Sequence, residues 1–422
     1  MKSLRINKKN VATIVACFAV SLALFTGCKP EEETTPDSVT PPTNEVVYLK
    51  SPITENTTLK DLGLAVDYIY DENWLLEVRN NAILTIEPGV TIQFTNNGHC
   101  GGIEIKDGAT IKAIGTAEKP INFIGIAGQG AGSWNRISLR DVKTDNELVY
   151  CNFIDGGRSN PNNESALSVY SSKVGLSHCT VSGSMNHGIN LQGDIELTAF
   201  DNNTVERCAF EPVYFNGELS RISKFDLSSD FTNNEKPYIF ISAESIHDEN
   251  ATLNETSVPY YIGQGEIWNL VGNLTINEGV TIYIHENAAI STGTNGDNVG
   301  SLFINGTPEK PVTLTRLPNT NYYWNSVNFR LFVNHKIKNC IIEYSGHWSG
   351  GSRQGAIGVG RGQGETGILE LENVLIRNSE HYGIVLDSQD FIVYSNVTFA
   401  DNAEANVWLY GVGDLNSLED MP

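Results

Sequence analysis

Basic residues are scarce. The chain sets 28 Lys and Arg against 50 Asp and Glu, a net charge of −22 over 422 residues. A surface of that sign repels phosphate backbones, so nucleic-acid binding is not expected. Charged residues of both signs reach only 18%, and there are 3 methionines. No stretch beyond the first 27 residues shows a capped, sustained 3.6-residue amphipathic pattern, which argues against a helical body. No Cys-x-x-Cys and no Cys/His cluster occurs, so the common zinc and dithiol sites are missing. What is abundant is Gly, Asn and Thr, the vocabulary of strands and turns.

The first residues read as an address. Lys2, Arg5, Lys8 and Lys9 precede a run from Val11 to Phe25 that is apolar, small or hydroxylated. It is short for a transmembrane span, which needs about 20 residues, and its flanks are those of a signal peptide. The run ends in Leu24-Phe-Thr-Gly-Cys28. This resembles the lipobox of bacterial lipoproteins, although Phe25 departs from the usual Leu. The resemblance implies lipidation of Cys28 and an anchor in the outer membrane, which several acyl chains together make firm. Lys29-Pro-Glu-Glu-Glu33 resembles the acidic surface-export signal of Bacteroidetes lipoproteins and implies cell-surface display. Thr34 to Asn44 is rich in Pro and Thr and reads as a linker. The expected division is a signal peptide over 1–27, a lipidated tether over 28–45, and two units over 46–238 and 239–422.

Those units rest on an internal duplication. Leu84-Thr-Ile-Glu-Pro-Gly-Val-Thr-Ile92 recurs as Leu274-Thr-Ile-Asn-Glu-Gly-Val-Thr-Ile282. Gly115-Thr-Ala-Glu-Lys-Pro120 recurs as Gly306-Thr-Pro-Glu-Lys-Pro311, Trp134-Asn135 as Trp324-Asn325, and Glu55-Asn-Thr-Thr-Leu59 as Glu249-Asn-Ala-Thr-Leu253. Order is kept and the offset stays between 190 and 194. A finer period lies inside each half. Cys151-Asn-Phe, Cys179-Thr-Val and Cys208-Ala-Phe have later counterparts in Cys340-Ile-Ile, Val374-Leu-Ile and Val397-Thr-Phe, at steps of 23 to 34 residues within a half. Alternation of period two means strand, and such steps match one solenoid coil of three short strands. The fold expected is all-β, a right-handed parallel β-helix with two duplicated halves stacked as one rod. Cys151, Cys179 and Cys208 are expected to line one interior column as small hydrophobes.

The run Ile83 to Phe94, with Ile103-Glu-Ile105, Ala109 to Thr116, Pro120-Ile-Asn-Phe123 and Trp134, resembles the opening of pectin-lyase-like right-handed parallel β-helix proteins of Bacteroidetes. That superfamily holds polysaccharide lyases, glycoside hydrolases, adhesins and inactive members, so fold does not settle chemistry. A lyase of this kind implies an Arg or Lys base beside a neutralised uronate. Arg140 and Arg330 recur in both halves and read as coil construction, whereas Arg158 has no Arg counterpart and is a candidate ligand contact. A hydrolase implies an adjacent Asp-Asp and a Gly-His-Gly, and neither occurs. His187 and His381, each shortly before a Gly-Ile, read as turn residues. Trp134 and Trp324 read as packed edge residues of the repeat. Trp348, in the Gly-rich loop Gly346-His-Trp-Ser-Gly-Gly351, is the second candidate ligand contact. No catalytic set and no metal site is expected. Calcium at turn acids such as Asp297 is the one cofactor left open. Two readings result: a non-catalytic surface scaffold that contacts a polysaccharide, cell-surface glycan or other surface partner, or an extracellular polysaccharide lyase or glycoside hydrolase.

Overall fold

The computed structural model describes residues 45–95, 101–158, 165–242, 245–247, 250–293, 299–347, 354–360 and 366–422. Residues from Thr43 onward form one compact unit. It is a right-handed parallel β-helix: the coil-length repeats predicted stacked parallel coils, and the family resemblance implied their hand. A coil of the first half comprises Ile83–Ile86 on a first face, Thr91–Phe94 on a second and Ile103–Ile105 on a third. Each strand pairs in parallel with its counterparts one coil before and after, as Leu84 does with Ile111, Ile92 with Phe123 and Ile103 with Ile137. Inward positions are apolar and fully buried, as with Leu84, Ile92, Phe94, Ile103 and Ile137. Burial of such side chains is worth about 1.5–3 kcal/mol each, and stacking makes the core continuous from coil to coil.

The duplicated motifs are the corners of this coil. Thr116 accepts the Lys119 N–H at 3.1 Å, and Thr307 accepts the Lys310 N–H at 3.1 Å. Lys119 then pairs with Asp61, and Lys310 with Glu255. The Trp134 indole N–H donates to the Ile154 carbonyl at 2.6 Å, and that of Trp324 to the Glu343 carbonyl at 2.9 Å. Both rings are fully buried, so they are interior rather than edge residues. The corner before Cys340, Val374 and Val397 holds Asn339, Asn373 and Asn396 at φ of 46°, 55° and 52°. Asn tolerates that region better than most residues. The three also form an amide ladder, Asn373 donating to Asn339 at 3.0 Å and Asn396 to Asn373 at 2.8 Å.

The cysteine expectation holds in part. Cys151, Cys179, Cys208 and Cys340 are buried and free. Cys340, Val374 and Val397 occupy one register column. Cys151 and Cys179 precede the paired residues Asn152 and Thr180 and share another. Cys208 does not join it. Thr180 pairs with Thr204, so the position over Cys179 belongs to Asn203, whose side-chain oxygen accepts the Cys179 N–H at 3.0 Å. The reason is coil length. The step from Cys179 to Cys208 is longer than the coil that brings Thr204 onto Thr180, so Cys208 overshoots its strand and enters the next turn.

The halves join through backbone pairing. Val213–Asn216, the last third-face strand of the first half, pairs with Ile239–Ile241, then Tyr260–Ile262, then Thr281–Ile284. By the repeat, Thr281–Ile284 corresponds to Thr91–Phe94, a second-face strand. The second half is therefore rotated by one face against the first. The third face of one unit runs on into the second face of the other.

Candidate functional site: an aromatic column at the junction

On the shared face, outward positions alternate with the buried Val213, Phe215, Ile239, Ile241, Ile262, Ile282 and Ile284. Read along the register, the outward column is Glu77, Glu104, Ser138, Ser168, Asn190, Tyr214, Phe240, Tyr261, Tyr283, Thr315. Four successive rungs are aromatic, and they straddle the join: Tyr214 ends the first unit and the other three open the second. Strand spacing of about 4.8 Å sets the column's pitch and gives it a length of about 14 Å. Tyr214 and Phe240 stack with centroids 5.3 Å apart and planes 10° apart. Phe240 and Tyr261 are tilted at 5.5 Å.

Turns on both sides thicken this surface. Phe210 and Tyr238 come from turns that lead into the strands, while His285 and Tyr322 come after strands that carry or adjoin the column. Tyr238 lies 4.5 Å from Tyr261, and His285 stacks on Tyr322 at 4.7 Å. Burial pushes the phenols of Tyr238, Tyr261, Tyr283 and Tyr322 up from their usual value. Their hydroxyls therefore stay protonated at neutral pH and can donate as well as accept. A surface with apolar ring faces and hydroxyl rims suits a ligand that has apolar faces and many hydroxyls.

Beside the column lies a charged hub. Glu211 is 4% exposed, and its carboxylate is 2.9 Å from His187 Nδ1 and 3.2 Å from Lys236 Nζ. Burial pushes the Glu211 carboxyl up, but His187, its own backbone amide and Lys236 outweigh this and hold it below the usual carboxylate value. Each partner also touches the aromatic wall. His187 is 5.1 Å from the Tyr214 ring and 5.6 Å from that of Phe210, over which Lys236 sits at 4.6 Å. Glu211 raises the Tyr238 phenol further through its charge and a side-chain hydrogen bond. A buried carboxylate and imidazole beside a concentrated aromatic face is where function is sought first.

The residues singled out from sequence fall elsewhere. Cys28 and Trp348 lie outside the described residues, as does Asp297. Arg158 is described; its N–H donates to the Trp134 carbonyl at 3.2 Å, and its Nη1 is buried without a hydrogen-bond partner. In the second half the same place belongs to His347, whose N–H donates to the Trp324 carbonyl at 3.0 Å. Arg158 sits in the turn before Ser165–Tyr170, two strands before Tyr214 on the shared face, and is not brought into the column. Arg140 pairs with Glu104 at 3.2 Å and lies over Tyr170, a structural role as expected. Among the described residues, no three His, Cys, Asp or Glu side chains converge as a metal site would require. His187, read as a turn residue, does close a turn, but it also carries the hub.

Fold and surface together define a right-handed parallel β-helix with an aromatic face. Residues 55–146 match the model of a pectate-lyase like beta helix domain. That match ends before His187 and before the first aromatic rung, so it bears on the coil and not on the column. No curated protein and no solved structure matches the chain.

Proposed function

We propose that this protein is a lipid-anchored scaffold, displayed at the cell surface through Cys28, that binds a polysaccharide along the aromatic column without cleaving it. The observation that carries the reading is the run of four outward aromatics, Tyr214, Phe240, Tyr261 and Tyr283, in one register. The pitch of neighbouring strands is close to the length of one sugar residue in an extended glycan. The half-buried Tyr214, Phe240 and Tyr283 can then meet sugars along the column, while Tyr261, 7% exposed beside Tyr238, supports them from beneath. The leader, the lipobox-like Leu24 to Cys28 and the acidic Glu31 to Glu33 support the location. Trp348 and Arg158 remain candidate contacts for a longer ligand.

The test is affinity electrophoresis of the purified protein through gels that each contain one polysaccharide, repeated with Phe240→Ala and Tyr261→Ala. Retardation by at least one polysaccharide, relieved in both variants, is expected. Retardation unchanged in both would remove the column from the reading. The same mixtures are assayed for reducing ends and unsaturated uronate. Product formed by the wild type and lost in Glu211→Gln would replace the scaffold with a lyase or hydrolase.

A further inference from the structure

The duplication supplies the same strand edge twice. Val213–Asn216 and Val407–Leu409 hold one position in the repeat: Val213 pairs with Ile189, and Val407 with Ile384, and each isoleucine belongs to a Gly-Ile pair near the start of its strand. In the first unit the outer edge of that strand is taken by Ile239–Ile241, the opening strand of the next unit. In the second unit it is taken by Gly413–Leu415, which runs back antiparallel, Val407 against Leu415 and Leu409 against Gly413. This is the one antiparallel pairing among the described strands. The core is closed in corresponding ways. Leu219 and Ile222 are buried beneath the junction, and Leu418 is buried beneath the C-terminal end, where its carbonyl accepts the Tyr394 hydroxyl at 2.9 Å.

The opposite end presents the matching strand. Val47–Tyr48 corresponds to Ile239–Ile241, since Tyr48 pairs with Ile69 as Phe240 pairs with Tyr261. Val47 and Leu49 donate inward to Asp67 and Ile69, so the Tyr48 N–H points to the outer edge, and the Tyr48 side chain is 55% exposed. Phe240 holds that position where the two units meet.

We propose that residues 410–422 form a plug at the place where the opening strand of a second copy of this chain docks. With the plug displaced, Val47–Tyr48 of a second copy adds to Val407–Leu409 as Ile239–Ile241 adds to Val213–Asn216 inside the chain. A second copy is the occupant because the homologous opening strand is what fills the equivalent edge within this molecule. Such a contact joins unlike ends, does not close, and extends into rows. The plug stops it by offering a poor template: three residues with Asp414 at their centre, opened by Gly413 at φ of 108° and preceded by Gly411 at 79°.

The experiment unseats the plug in the full chain with Leu415→Lys and Leu418→Asp, and tracks mass by sedimentation velocity. The wild type is expected to remain monomeric. The variant is expected to form dimers and longer rows as concentration rises, with an unchanged circular dichroism spectrum. Adding Tyr48→Pro removes the outward donor without touching the inward bonds, and is expected to return the variant to monomer. A folded variant that stays monomeric, or rows that persist with Tyr48→Pro, would overturn the proposal. If the double variant does not fold, a protease site placed in the exposed turn Tyr410–Val412 is cut after folding and the plug separated in dilute urea. Association must then appear and must reverse when a synthetic 411–422 peptide is returned; failure of either overturns it.

Discussion

His187 with Glu211 and His381 with Glu404 are two versions of one arrangement. His187 opens a strand and His381 immediately precedes one, and each reaches a glutamate on the next coil, at 2.9 Å and 3.1 Å. The first pair is enclosed, its side chains 9% and 6% exposed, while the second stands open at 38% and 44%. The difference lies in the stretch of chain beyond each glutamate. After Glu211 the chain runs into the second unit, rotated by one face, and Phe210, Tyr214 and Tyr238 close over the pair. After Glu404 the chain reaches the C-terminal plug; Trp408 and Tyr410 meet edge to face there, 6.2 Å apart, and the pair stays open. Duplication supplies both pairs, and the junction makes one of them part of a site.

The sharpest way to break this comparison is to remove each carboxylate. Glu211→Ala leaves the buried His187 without its partner, while Lys236 is 41% exposed, and is expected to cost about 1–3 kcal/mol in urea unfolding. Glu404→Ala is expected to cost less than about 1 kcal/mol, as exposed pairs do. Similar costs would mean that burial of the hub contributes nothing. Next come the rings. Tyr261→Ala is expected to weaken glycan binding by about 1.4 kcal/mol, or tenfold, by isothermal titration. Ile124→Ala, at the outward position of the corresponding face in the first unit, is expected to leave affinity unchanged.

Acidification gives a smaller effect with a defined sign. Glu211 is held below its usual value in the folded chain. Its contribution is therefore complete above the unfolded carboxylate value and is lost as pH falls through the lower folded one. Urea midpoints measured downward from pH 7 are expected to fall less steeply in Glu211→Gln than in the wild type, and only in that acidic window. The smallest effect concerns thiols. Burial pushes Cys208 up to about 12 and Cys340 higher still. Neither Cys208 nor Cys340 is expected to react with a thiol reagent at pH 8 until urea unfolds the chain; rapid labelling of Cys208 in the native protein, located by peptide mapping, would show that the junction opens.

Much of the coil was legible because its causes are local. Alternating apolar positions give strands, Gly and Asn give corners, and the duplicated Leu84 and Leu274 segments name equivalent strands. The site was harder. Its rings stand at 214, 240, 261 and 283, unequal steps that show no period until the length of each coil is known. One signal was available: Thr91-Ile-Gln-Phe94 becomes Thr281-Ile-Tyr-Ile284 in the second half, so an outward polar position turns aromatic. Cys208 failed as a rung for the same reason, since one short coil breaks a spacing argument.

The amino-acid pattern by itself determined that the body coils in parallel strands, because a period-two apolar alternation repeated at coil length can bury its face only by stacking on its own kind. Which face of the second unit lands on which face of the first was decided only in three dimensions. That choice depends on the circuit that Gly217 to Tyr238 completes before Ile239 meets Val213, a sum of turn angles that no single residue encodes. Tyr214, Phe240, Tyr261 and Tyr283 became neighbours through that sum.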